Sequence, residues 1–113
     1  MKKLLLAALL AFAGPAMAQS PGVYAVQGTN PDGSRYDGVV ELAPGPNNTW
    51  RVTWRVQGST VRGAGIVHGD VLAVAYVDGT EPGVVAWRVL PDGRLDGPWT
   101  VGGLVGREVL TRR

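Results

Sequence analysis

His68 is the one imidazole in this chain, and the chain has no cysteine, so typical zinc spacings find no set of ligands and neither a metal nor a cofactor is expected. His68 precedes Gly69-Asp70 at a hairpin corner, where a turn role suits it better than general-base work. The serines, Ser20, Ser34 and Ser59, lie near the start of the exported region or in turns, and none sits in a nucleophile-elbow motif. Asp32, Asp78 and Asp92 each precede glycine, which is turn chemistry. No catalytic residue is expected, and the chain reads as a non-enzyme; a carboxylate-based hydrolase is the remaining enzymatic form. The chemistry that is left belongs to seven rings: Tyr24, Tyr36, Trp50, Trp54, Tyr76, Trp87 and Trp99. Their faces, phenol hydroxyls and indole N–H groups could orient a flat or apolar guest.

These rings all follow a leader-like segment. Lys2 and Lys3, an apolar run from Leu4 to Ala13, and Ala16-Met17-Ala18 make a charge, a greasy stretch and an A-x-A site in the order of a secretory signal. The expected division is a signal peptide over 1–18 and one domain over 19–113, exported to the periplasm or secreted. The apolar run is too short to span a bilayer, so no membrane span is expected after cleavage. Both lysines fall in the signal. The remaining charges are nine arginines against nine acids, a net of zero, which argues against a nucleic-acid partner.

The elements that must position the rings read as strands. The region after residue 18 holds 17 valines and one isoleucine, and glycine or proline interrupts every apolar segment before a helical period can build. Strands are predicted over Tyr24–Thr29, Ser34–Leu42, Thr49–Gln57, Thr60–His68, Val71–Val77, Val84–Leu90, Arg94–Thr100 and Arg107–Thr111. Tight turns between them predict an all-β, antiparallel up-and-down meander of about eight short strands. Closure into a barrel would remove both edges; a two-layer sandwich is the alternative.

Turn chemistry sets the expected registers. Gly58-Ser59 and Gly69-Asp70 read as two-residue hairpin loops, and Pro31-Asp32-Gly33 and Pro91-Asp92-Gly93 as three-residue loops. Pairing then sets Trp54 opposite Gly63, Val52 opposite Gly65, Gly63 opposite Tyr76, Gly28 beside Tyr36 and Trp87 beside Gly97. Matching apolar faces sets Leu42 opposite Trp50 and Gly38 opposite Trp54. Rings repeatedly meet glycines, over which they can lie without a Cβ in the way. Alternation puts all seven rings on one face with Val26, Val40, Leu42, Val52, Val56, Val67, Leu72, Val74, Val85, Val89 and Leu95. Through the seventh strand this inner face carries no charge. It is read as a packed core first and as a ligand pocket second, held by contact without buried titratable groups.

The outer face of strands four to six offers Ala64, Ile66, Ala73, Ala75, Val84 and Ala86, with Arg62 and Arg88 nearby. Ala64, Ala75 and Ala86 are expected in one row. This patch is the candidate surface for a protein partner or a homodimer, against an ordinary exposed sheet as the plainer reading. Arg35, Arg51, Arg55 and Arg62 meet Asp37 and Glu41 across strands, which predicts a solvated ion-pair face rather than an anion site.

The runs YAVQGTNPDGSRYDGVVEL, WRVTWRVQGSTVRGAGIVHGDVLAVAY, VLPDGRLDGPWT and GREVLT resemble small secreted proteobacterial β-domain proteins, some labelled fibronectin-binding protein. That resemblance implies an extracytoplasmic β domain and binding to a host matrix protein, with no binding residues to carry over. A fainter similarity, in TWRVTWRV and LVGREVLT, is to avidin-like barrels, but VYAVQG lacks the polar contacts a biotin site needs. The leading expectation is an exported binding or interaction module of the bacterial cell envelope. The alternative is a carrier of a small apolar or aromatic ligand inside the barrel.

Overall fold

The computed structural model describes residues 19–113, so the expected signal segment lies outside the described residues. Eight strands run in order: β1 (Gly22–Thr29), β2 (Arg35–Pro44), β3 (Trp50–Val56), β4 (Ser59–His68), β5 (Val71–Asp78), β6 (Glu81–Val89), β7 (Leu95–Val101) and β8 (Leu104–Arg112). Each pairs antiparallel with the next, and β8 returns to β1 through pairs running from Tyr24↔Arg112 to Thr29↔Arg107. The expected meander is therefore a closed barrel and not a sandwich. Closure pairs the backbone of every wall strand on both sides. Among the described residues no helix is long and apolar enough to cross a membrane.

Several turns form as their residues predict. Asn30–Ser34 and Leu90–Arg94 close three-residue loops with Gly33 and Gly93 left-handed, at φ 90° and 92°. The Gly69-Asp70 turn yields Gly63↔Tyr76, and the Asn30–Ser34 loop yields Gly28↔Tyr36, both as expected. Val85↔Trp99 and Arg88↔Asp96 bracket Trp87 and Gly97, keeping that pair in its expected register.

Three registers differ from expectation. The β3–β4 turn is Gln57-Gly58 rather than Gly58-Ser59, so Trp54 faces Val61, and Val52 faces Gly63. Gln57 accepts a left-handed φ of 51° to make this turn. β2 extends to Pro44, so Leu42 faces Val52, and Val40 rather than Gly38 faces Trp54. The β5–β6 turn is Gly79-Thr80, which sets Ala75 against Val84, and Ala86 against Ala73. The outer row is thus Ala64, Ala75 and Val84, without Ala86. Each slip is two residues, so every side chain keeps its face. A local turn preference yields here because strand number, tilt and total stagger must agree around a closed barrel.

The inward face is buried as expected for Tyr24, Val26, Val40, Leu42, Val52, Trp54, Leu72, Val74, Val85, Trp87, Val89 and Leu95, and β8 adds Leu110. Val56 is half-buried at the open end, and Val67 is 37% exposed beside the His68–Val71 corner. The two barrel ends differ. At the end where β1 begins and β8 finishes, Tyr24, Leu42, Leu72, Val89, Leu95 and Leu110 fill the lumen. There the Tyr24 hydroxyl donates to the Ser20 carbonyl at 2.7 Å, and the Arg112 guanidinium lies 5.6 Å from the Tyr24 ring centre. The other end, ringed by the β1–β2, β3–β4, β5–β6 and β7–β8 turns, is open.

Candidate functional site

Three rings line the open end by lying back against glycines. Tyr36 covers Gly28, Tyr76 covers Gly83 and Trp99 covers Gly106, each so closely that a Cβ on the glycine would strike the ring. Gly28 and Gly83 face their rings directly across a strand pair, as Gly106 faces Trp99. A ring laid on the wall takes little of the lumen, so a cavity of about 170 Å³ remains. Its walls are Tyr36, Trp54, Val56, Val61, Tyr76, Val85 and Trp99, its inner end reaches Glu108, and Asn30, Gln57, Ser59, Asp78 and Val101 complete its lining. The rings pack on one another: Trp54–Tyr76 centres are 5.1 Å apart, Trp54–Trp87 5.7 Å, and Tyr36–Trp99 6.4 Å in an edge-on arrangement. Such tilted and edge-on pairs are the favoured aromatic geometries and hold the walls in place.

Glu108 is the feature that reading strand by strand missed. It is 4% exposed. The Tyr36 hydroxyl donates to its Oε1 at 2.6 Å, while the indole N–H groups of Trp54 and Trp87 both donate to its Oε2 at 3.1 Å. The expectation of an inner face without buried titratable groups is therefore corrected. It stopped at β7, whereas alternation along Gly106, Glu108 and Leu110 carries a charge-bearing side chain into the lumen on β8. Three donors explain why a carboxyl group is tolerated there.

Burial pushes the Glu108 carboxyl above the ordinary glutamate range, and the Tyr36, Trp54 and Trp87 donors partly oppose that shift. Burial, followed by the nearby Glu108 charge, also raises both mouth phenols, Tyr76 to about 12 and Tyr36 higher still. Both hydroxyls stay protonated near neutral pH and act as donors. The Trp99 indole N–H is buried with no hydrogen-bond partner among the described residues. Among the described residues the cavity lining includes two carboxyl side chains, Glu108 and Asp78, and no arginine, lysine or histidine.

The sequence-predicted ring set divides between two jobs. Tyr36, Trp54, Tyr76 and Trp99 line the cavity, Trp87 supports it from beneath by bonding Glu108, Tyr24 plugs the opposite end, and Trp50 is half-buried at the margin of the core. Packed core and pocket are both present, one at each end of the lumen. On the outer wall Ile66 and Val84 are 60% and 49% exposed. Ala64, Ala75, Arg62 and Arg88 are also exposed, with Ala73 and Ala86 half-buried, so the patch exists as a face. On the face where Glu41 was expected against Arg51 and Asp37 against Arg55, Arg55 instead reaches Glu41 diagonally, at 2.7 Å, after the two-residue slip of β2 against β3. His68 is exposed and remote from the cavity lining. Among the described residues no group of three or more His, Cys, Asp or Glu side chains could hold a metal ion.

Fold and site together define a small antiparallel barrel with an aromatic pocket opening at one end. No family model matches the chain, and no curated protein matches it. Solved structures do. A de novo designed fluorescence-activating β-barrel is 17% identical over 87% of this chain and 97% of its own, with a TM-score of 0.67. The redesigned barrel mFAP1, bound to DFHBI, is 18% identical over 82% of this chain and 94% of its own, at 0.64. A fatty acid binding protein of Schistosoma mansoni, in complex with arachidonic acid, is 12% identical over 87% of this chain and 98% of its own, at 0.57. At these identities the similarity establishes the fold.

Proposed function

We propose that this protein is a non-enzymatic binder of small, flat, largely aromatic molecules, held in the open end of the barrel. The observation that carries this reading is the cavity walled by Tyr36, Trp54, Tyr76 and Trp99 and ending on buried Glu108. Its volume of about 170 Å³ suits a compound of one or two rings, since an engineered apolar cavity of about 150 Å³ takes benzene. A long-chain acid such as the arachidonate in the schistosome barrel would exceed that space and bring a carboxylate to a lining without basic residues. The pocket supports this reading over fibronectin binding. The Lys2–Ala18 pattern supports export, with the binder working in the envelope or outside the cell.

Tryptophan emission is the natural readout, because Trp54 and Trp99 line the cavity. Titration with one- and two-ring aromatics should change it saturably, and a long-chain fatty acid should not. In Val61→Trp, which fills the cavity from β4, the change should disappear while the barrel stays folded. Saturable binding that survives Val61→Trp would place the ligand elsewhere and overturn the proposal.

A further inference from the structure

We infer that the pocket selects small planar organic cations, such as amidinium or protonated arylalkylamine compounds, with Glu108 as the counter-ion at its inner end. This rests on the pocket being a ligand site, and adds the sign of the ligand's charge and the groups that read it.

The first argument is the acceptor count at Glu108. A carboxylate offers about four lone-pair positions, and the described residues fill three of them: two at Oε2 with indole N–H groups and one at Oε1 with the Tyr36 hydroxyl. One acceptor position on Oε1 is left over, on a side chain only 4% exposed that borders the cavity. All three donors are neutral, and no arginine, lysine or histidine among the described residues hydrogen-bonds or ion-pairs with this carboxyl. A buried carboxyl without a cationic partner is the costly half of an ion pair. A ligand N–H bearing positive charge supplies both the fourth hydrogen bond and the missing charge.

The walls favour the same sign. Tyr36, Trp54, Tyr76 and Trp99 present π-systems to the lumen, whose faces attract cations. Asp78, at the β5 end of the lining, is a second acid on the route in. Acids at both the entrance and the inner end, with nothing basic between, favour entry of a cation and oppose that of an anion.

Three probes of one shape separate charge from fit: benzamidine (cation), benzamide (neutral) and benzoate (anion). Binding to the 19–113 domain is followed through the indole N–H resonances in two-dimensional NMR, where the Trp54, Trp87 and Trp99 signals report the site itself. Benzamidine should bind about tenfold tighter than benzamide, the usual gain when a hydrogen bond becomes charge-assisted, and benzoate should bind least. Glu108→Gln should abolish the advantage of benzamidine over benzamide, so that the two probes bind alike. Should Glu108→Gln fail to fold, Asp78→Asn at the exposed rim gives a smaller loss confined to benzamidine. Equal binding of the three probes, or a preference for benzoate, overturns the cation inference while leaving the pocket reading intact. Absence of binding by all three into the high millimolar range overturns both.

Discussion

Replacing Glu108 by leucine tests the polar centre of this barrel more severely than any other single change. Leucine removes every acceptor that Trp54, Trp87 and Tyr36 now use. Trp54 and Trp87 are 7% and 0% exposed, so neither indole N–H can turn to bulk water. Each orphaned buried donor costs about 1–3 kcal/mol, so the two indoles together cost about 2–6 kcal/mol. Tyr36 is half-buried at the cavity wall and can take a water there, so it adds little. Relief from burying the carboxyl offsets part of the loss, leaving an expected net of about 2–4 kcal/mol, a large share of the roughly 5–15 kcal/mol typical of a domain. Glutamine should lose only about 1 kcal/mol. Its amide oxygen can accept from both indoles while its NH2 donates to the Tyr36 oxygen. The assay is urea unfolding followed by tryptophan emission, comparing midpoints at unchanged slope. A leucine variant as stable as wild type, or a glutamine variant less stable than leucine, would refute the reasoning.

Further expectations can be checked in the same way. The folded-state Glu108 carboxyl is raised above its unfolded value, so the native state holds the proton more tightly and stability should fall as pH rises from the ordinary glutamate range to the raised value, then level off. Glu108→Gln should lack that slope, whereas exposed Asp32 and Asp92, lowered by hydrogen bonds from Ser34 and Arg94, lose stability only as pH falls through the acid range. Gly97→Ala should destabilise by about 1–3 kcal/mol and more than Gly83→Ala, because its Cβ meets the Ala86 carbonyl and lies 3.0 Å from the Trp87 Cα, whereas at Gly83 the Tyr76 ring can move. Thermal denaturation of the pair decides this. Gln57→Gly should stabilise by roughly 0.5 kcal/mol by relieving the left-handed conformation at φ 51°, net of glycine's greater entropy cost, read as an upward shift in urea midpoint. Ile66→Lys, on the 60% exposed outer wall, should change stability by no more than about 0.5 kcal/mol.

The strand framework was legible because its signals are local. Glycine after Pro-Asp demanded the two three-residue loops, and valine alternation assigned faces that held even where a register slipped by two. The same alternation puts the rings of Tyr36, Trp54, Tyr76 and Trp99 on the lumen side, where they line one cavity. Gln57-Gly58 was not legible, since a local reading prefers glycine at the first turn position and barrel closure required another stagger. The ring-over-glycine pattern was half legible. Tyr36 on Gly28 followed from a tight turn, but Trp99 on Gly106 depends on the Gly102-Gly103 hairpin, which the predicted strands did not include. Glu108 could have been placed inside by continuing the alternation through GREVL.

By itself the sequence determined an antiparallel eight-stranded meander, its faces and the company of its aromatic residues, because turn chemistry and period-two alternation act between near neighbours. The tertiary structure alone decided where the lumen is filled and where it is hollow. It also decided that Tyr36 from β2, Trp54 from β3 and Trp87 from β6 converge on one carboxyl from β8. Those residues lie 72, 54 and 21 positions from Glu108 along the chain, and only closure of the barrel brings them within a hydrogen bond of it.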